Sequence, residues 1–327
     1  MNSLLIITSQ ADSHADYLMH KLIDKGITVV RLNTDDFSNN LSVTYSIGNG
    51  HHITITLPDS RSISFTPHDI TAVWYRKPFL SRFDCTGQST VTAFAGREIE
   101  SYLADLISCL GHVKWINHPY ANKTAENKIG QLRLAEQIGL RIPKTLITND
   151  PTRAGDFLRC FPQQGIVYKT LSNPFISETT SAFRSVFTSK VKMSPEIEQS
   201  IKVAPCLFQE YIEKAYELRV TVVGQQVFAA RILSQEHTQT STDWRHRQDE
   251  VTLKHEVEIL KSDVEQACVQ IVKQLGLVFG AIDLIVTLDG KYVFLEINPN
   301  GQWLWVEHLL GLHISEALIE ELITVTA

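Results

Sequence analysis

Short apolar runs alternate with amphipathic stretches from the first residues of the chain. Leu4-Leu5-Ile6-Ile7, flanked by Ser3 and Thr8, reads as a buried strand. Asp16–Lys25 has helical spacing and is closed by Gly26, and Ile27–Leu32 is β-branched and apolar. Strand, helix and strand in that order predict an α/β layer. Val43–Leu57 alternates on both sides of Gly48-Asn49-Gly50, as a hairpin does. Ala72–Arg76 is a short strand running into Arg76-Lys77-Pro78, an end that either meets a ligand or is solvated. A helix covers Val91–Leu110 and stops at Gly111.

Asn117-His118-Pro119 reads as a loop and a boundary. Thr124–Ile138 carries Ile129, Leu132, Ala135 and Ile138 on one helical face. Lys144–Thr148 and Gly165–Thr170 are strands, and Leu171–Ser181, rich in Ser, Thr, Asn and Pro, is a loop. From Cys206 strands dominate: Leu207–Ile212, Glu217–Val223, Gln226–Leu233, Val278–Leu288 and Lys291–Asn298, with a last helix over Ile314–Ile323. These shifts divide the chain into 1–119, 120–205 and 206–327. No repeat with a period of 20–50 residues is visible.

Composition narrows the function classes. The 327 residues are 43% hydrophobic and 20% charged, as in ordinary globular proteins, and two or three domains fit that length. A net charge of −6 gives no global basic field for nucleic acid or an anionic membrane surface, so neither is expected as a partner. The longest apolar stretch, Leu277–Val286, is cut by Asp283 and is too short to span a bilayer. The first residues lack the basic and apolar regions of a signal peptide. Five cysteines, an odd count with no C-x-x-C pair, read as reduced thiols in a cytoplasmic protein.

The richest segment is Gly280–Val286, Asp289-Gly290 and Tyr292–Asn298. Asp-Gly between two apolar runs predicts a hairpin with a two-residue loop. Opposed residues then have numbers summing to 579, which places Asp283 against Glu296 with side chains on one face about 5 Å apart. Asn298 shares that face. Two close carboxylates in an apolar setting repel unless neutralised. An all-oxygen donor set predicts a hard cation such as Mg²⁺, which usually serves nucleotide phosphates. Neither G-x-x-x-x-G-K-[ST] nor G-x-G-x-x-G is present, so separate basic side chains must meet the phosphate charge. Candidates are Lys128, Lys169 within Ile166-Val167-Tyr168-Lys169, and Arg219 and Arg231 within strands. Trp303 and Trp305 fit either core packing or an aromatic platform.

The order Lys128, Lys169, Gln209-Glu210-Tyr211-Ile212, Glu217-Leu218-Arg219-Val220, Arg231, Asp283 and Glu296-Ile297-Asn298 resembles the ATP-grasp superfamily over residues 120–327. The first 119 residues match its usual N-terminal α/β domain. Asp243-Trp244-Arg245 and Glu296-Ile297-Asn298-Pro299-Asn300-Gly301-Gln302-Trp303 are similar to the microviridin-type graspetide ligases, which make side-chain macrocycles in ribosomal peptides.

The resemblance implies an α/β ATP-grasp fold in three parts, with ATP and two Mg²⁺ ions as cofactors. It implies Lys128 and Lys169 on the nucleotide, Glu210, Tyr211 and Ile212 at an adenine hinge, and Glu217 on the ribose. Asp283, Glu296 and Asn298 would hold the metal, and the loop around Leu171–Ser181 would close over the phosphates. Arg231 would neutralise the transferring phosphate. Arg245 would grip a carboxylate, with Asp243 accepting the proton of the attacking hydroxyl or amine. The implied substrate is a ribosomal precursor peptide with a leader segment, and a homodimer is left open. An ATP-grasp ligase adding amino acids to a protein tail or small molecule is the alternative; a non-catalytic nucleotide-binding regulator would lack some of these residues.

Overall fold

A computed structural model of the chain describes residues 3–38, 41–48, 50–78, 90–172, 175–177, 183–246 and 252–324. The N-terminal unit holds a four-stranded parallel sheet in the order Thr28–Asn33, Ser3–Thr8, Ile70–Tyr75, Lys114–Ile116. Parallel strands are covered on both faces and therefore read as unbroken apolar runs, and all six residues of Ser3–Thr8 are buried. The expected hairpin is part of a three-stranded meander, Ser42–Ser46, His52–Thr56 and Ser62–Phe65, with Asn49 outside the described residues.

The helix expected over Thr124–Ile138 is two helices, Pro119–Ala125 and Lys128–Gln137. Asn127 leaves the helical conformation and its side chain accepts the Gly130 N–H at 3.1 Å, so it caps the second helix. Lys128 is thereby set in a first turn.

The middle sheet runs Ser189–Lys190, Ile166–Lys169, Cys206–Glu210, Thr145–Thr148. Cys206–Glu210 pairs with strands on both sides, so the passage to the C-terminal sheet falls after Glu210 and not at the expected boundary of 205. Phe208 explains this, since it fills the small core beneath Ala154 and Ile201 of the flanking helices. Within the expected loop Leu171–Ser181, Phe175–Ser177 pairs antiparallel with Phe183–Ser185. Positions 173–174 and 178–182 lie outside the described residues.

The C-terminal sheet is antiparallel, in the order His255–Glu258, Gln226–Ile232, Lys214–Val223, Phe279–Thr287, Tyr292–Asn298. One face is apolar: Leu218, Val220, Ile282, Leu284 and Phe294 pack with Leu132 and Ala135 of the Lys128–Gln137 helix and with Cys268 and Ile271 of Ser262–Gln274. The other face carries Glu217, Arg219 and Asp283. The N-terminal sheet and the C-terminal helices share a second core, in which Leu4, Ile6 and Trp74 meet Phe279, Trp303 and Leu318. Trp303 is fully buried there, 5.0 Å edge-on to His14, and Trp305 lies against Trp244 and His255. Core packing accounts for both tryptophans.

Candidate active site

The site begins with the hairpin of Phe279–Thr287 and Tyr292–Asn298. Asp283 does face Glu296, Ile282 faces Ile297 and Ala281 faces Asn298. Nearer the turn the pairing differs by one: Leu284 faces Phe294 and Val286 faces Tyr292. The loop has three residues, not two. The Thr287 N–H donates to the Lys291 carbonyl at 2.9 Å, and Gly290 takes a φ of +76°. A bulge at Leu295 then restores the register. Through the bulge, Phe294 and Ile297 both enter the apolar core, while Leu295 and Glu296 both line the cleft opposite. Just beyond, a Cβ on Gly301 would come within 2.3 Å of the Ala281 Cβ, so only glycine allows the chain to turn so closely against the strand.

Basic residues surround this acidic pair. Lys128 Nζ bonds Glu296 Oε2, and Arg245 Nη1 reaches Glu296 Oε1 at 3.7 Å. Burial works against the Glu296 carboxylate, but Lys169, Lys128 and Arg245 outweigh it and hold its pKa below the usual range. Asp283 goes the other way: burial raises its pKa, Arg219 opposes the rise and Glu296 adds to it. Arg219 Nε lies 3.2 Å from Asp283 Oδ1 without hydrogen-bond alignment, and both atoms lack a partner. Asn298 Nδ2 touches Asp283 Oδ2 at 3.4 Å. A buried carboxylate oxygen without a donor, beside a second carboxylate and the Asn298 amide, fits a hard divalent cation. Among the described residues no cluster of three or more His, Cys, Asp or Glu that could hold a metal ion is present.

Two cavities meet at this hairpin. The first, of about 600 Å³, lies between the middle and C-terminal sheets and is lined by Lys169, Glu210, Tyr211, Ile212, Glu217 and Asp283 among others. The Glu210 carboxylate accepts the Lys144 N–H at 2.9 Å, which fixes the end of Cys206–Glu210 against the start of Thr145–Thr148. Glu217 is paired with Lys214 at 2.8 Å; burial raises its pKa and Lys214 opposes the rise. Burial lowers the Lys169 pKa, with Glu296 opposing. The second cavity, of about 710 Å³, contains Lys128, Lys169, Arg245, Glu296 and Asn298. Lys169, Arg245 and Glu296 line both cavities and mark the junction.

Asp243-Trp244-Arg245 sits at this junction. Trp244 is buried against Ile232 and Leu253 and anchors the segment. Asp243 and Arg245 therefore reach the cleft together, with Arg245 Nε donating to Asp243 Oδ1 at 2.9 Å and Nη2 to Oδ2 at 3.0 Å. The Thr188 N–H donates to Asp243 Oδ2 at 3.1 Å. Burial works against the Arg245 charge, but the bonds to Asp243 hold its pKa above the usual arginine value. Asp243 is held below the carboxylate range by the same bonds, against its burial.

Arg231 lies away from the place the resemblance implies. It faces Leu218 on the neighbouring strand, which puts its side chain on the apolar face, away from Asp283. There it donates to Glu258 Oε2 at 2.8 Å through Nε and lies over the Tyr216 ring. It does not reach the acidic pair. Arg219 does: it pairs with Asp283 in register and lies 5.8 Å from the Trp244 ring. Arg76, expected at a ligand contact or a solvated end, is not solvated. It is 1% exposed and its Nη1 donates to the Asn300 carbonyl at 2.7 Å, tying the N-terminal sheet to the chain just past Asn298.

Comparisons with known proteins cover both parts of the chain. The sequence profile of the MvdD pre-ATP grasp domain matches residues 3–123, and that of the RimK-like ATP-grasp domain matches residues 125–322. The macrocyclase MdnC from Microcystis aeruginosa MRC, solved with the precursor peptide MdnA, is 31% identical. The match covers 98% of this chain and 99% of that one, with a TM-score of 0.83. A RiPP-associated ATP-grasp ligase from Chryseobacterium gregarium, solved with ADP and a leader and core peptide, is 30% identical. It covers 98% of this chain and 96% of its own, with a TM-score of 0.85. A probable alpha-L-glutamate ligase from Marinomonas sp. is 25% identical over 211 residues, which are 63% of this chain and 66% of that relative. Among the described residues no helix is long and apolar enough to cross a membrane.

Proposed function

The chain belongs to the RimK-like ATP-grasp family, and from that premise we propose that it is an ATP-dependent peptide macrocyclase. A side-chain carboxylate of Asp or Glu in a ribosomal precursor peptide attacks the γ-phosphorus of ATP, giving an acyl phosphate and ADP. A Thr or Ser hydroxyl, or a Lys amine, of the same peptide then attacks the acyl carbon. The carbon–oxygen bond to phosphate breaks, inorganic phosphate leaves, and an ω-ester or ω-amide ring closes. A carboxylate is a poor electrophile, and the phosphate leaving group is why ATP is consumed.

Each residue has a task in this reading. Glu210, Tyr211 and Ile212 line the adenine end of the first cavity, and Glu217 holds the ribose hydroxyls. Lys128 and Lys169 take the phosphates, Lys128 exchanging its Glu296 contact for them. Asp283, Glu296 and Asn298 would hold magnesium, which offsets phosphate charge when bound. Arg219, not Arg231, stands where charge develops beside that acidic pair. Arg245 presents a planar fork to the acceptor carboxylate, and Asp243 orients that fork and accepts the proton of the attacking group.

The observation that carries the reading is the likeness, at 30 and 31% identity over 98% of the chain, to two structures holding peptides. Addition of an amino acid to a protein tail or small molecule is the second reading, favoured by the glutamate ligase relative, which matches less of the chain. The test is Arg245→Ala. ADP binding should persist while ring closure, followed by mass spectrometry as loss of one water per ring, slows by about 30- to 150-fold, the share of a charge-assisted bidentate contact. Arg245→Lys should recover little, because an ammonium lacks the fork. Water loss at the normal rate by Arg245→Ala would remove Arg245 from the acceptor site.

A further inference from the structure

The strand that carries Glu296 and Asn298 lies at the edge of its sheet, with a neighbouring strand on one side only. Its outer side would offer unpaired N–H and C=O groups, and such edges open more readily than central strands. A side-chain amide closes that side. Gln131 Oε1 accepts the Ile297 N–H at 3.1 Å, and Gln131 Nε2 donates to the Ile297 carbonyl at 2.9 Å. The side chain thus pairs with Ile297 as the peptide group of an added strand would. A further bond from Nε2 to the Ala125 carbonyl, at 2.6 Å, holds it in place, and Gln131 is 2% exposed. Past the Leu295 bulge the Phe294 N–H donates to the Arg141 carbonyl at 2.8 Å, so the edge is clamped on both sides of the bulge.

Ile297 is the residue between Glu296 and Asn298. Gln131 lies three residues after Lys128 on the same helix, and Lys128 bonds the Glu296 carboxylate. One helical turn therefore holds this segment twice, by charge at the Glu296 side chain and by an amide at the next peptide group. We propose that Gln131 is a positioning residue for magnesium: it fixes the spacing of Glu296 and Asn298 by completing the edge of their strand. The inference rests on the reading of Asp283, Glu296 and Asn298 as metal ligands. Mg²⁺ demands near-ideal octahedral geometry, so a strand that slides or opens loses the ion before it loses the nucleotide.

Gln131→Met keeps the length and apolar stem and removes both hydrogen-bonding ends. Calorimetric titration with ADP, with and without Mg²⁺, is the test, together with amide hydrogen exchange. Metal-free ADP should bind within about twofold of the parent, and the gain on adding Mg²⁺ should fall about 10- to 100-fold, as for other residues one step removed from a metal. The Ile297 amide should exchange faster while Leu218 and Leu284 keep their protection. An unchanged Mg²⁺ gain would overturn the proposal, as would equal weakening with and without the ion. Gln131→Asn keeps a shorter amide and serves if the methionine variant does not fold. Failure of both to fold would make Gln131 a structural residue and also overturn it. Glu296→Gln in the same titration separates the two claims, because an unchanged Mg²⁺ gain there would reject the metal site itself.

Discussion

Arg219 and Arg231 occupy adjacent strands of one sheet, yet their environments are opposite. Arg231 is about one-third exposed and closed onto Glu258, with its aromatic neighbour Tyr216 stacked beneath it. Arg219 is buried, next to a buried Asp283, and neither Nε nor Oδ1 has a hydrogen-bond partner. A hydrogen-bonded pair that reaches solvent through its arginine is already satisfied and asks for no ligand. A buried, unsatisfied pair is costly to keep unless a ligand completes it. The difference sets the apolar face of the sheet apart from the face on which we propose the site.

The largest effect should come from the acidic pair itself. Glu296→Gln removes one charge from the proposed metal set, and ADP release in the presence of peptide should fall by more than about 100-fold, the upper end for partners one step further from a metal. A circular dichroism spectrum like the parent's would show the fold intact, and turnover near the parental rate would break the assignment.

The two arginines then test the comparison directly. Arg219→Leu leaves Asp283 buried without its cation; stability should drop by about 3 kcal/mol and turnover by about 100-fold. Arg231→Leu, which leaves the largely buried Glu258 carboxylate without its arginine, should cost about 1–2 kcal/mol and leave turnover within about twofold. Equal effects in urea unfolding and in ADP release would erase the distinction between the two faces.

A smaller effect belongs to Lys169, which lies where the two cavities meet. Lys169→Met keeps the stem and removes the charge. ATP affinity measured by calorimetry should fall about tenfold, or about 1.4 kcal/mol. Unchanged affinity with unchanged melting would return Lys169 to a packing role.

The same hairpins show how much of the site could be read from the chain. Pairing arithmetic about Asp289-Gly290 places Asp283 against Glu296, and the structure agrees at that pair. It does so because a three-residue loop shifts the register and a bulge at Leu295 shifts it back. Neither departure is marked in the local sequence, since Leu295 is one apolar residue among several. Pairing about Gly224-Gln225 puts residues summing to 449 in register, which sets Arg231 opposite the apolar Leu218 and Arg219 opposite Ala230. Arg76 was hidden for another reason: its burial depends on the carbonyls of Asn300 and Gly301, more than 200 positions away, and no local pattern reports such a contact. Gln131 was hidden likewise, as one polar residue on a helix whose apolar stripe is clear.

The central claim is that the site face joins two side chains of a peptide at the expense of ATP. Its most direct test is intact-mass spectrometry of a short Thr- and Asp- or Glu-rich peptide encoded beside this chain, after incubation with the enzyme, ATP and Mg²⁺. The account predicts that the peptide loses one water for each ADP formed, with no atoms added. A gain in mass by one amino-acid residue per ADP, when free amino acids are supplied, would contradict it and identify the chain as an amino-acid-adding ligase.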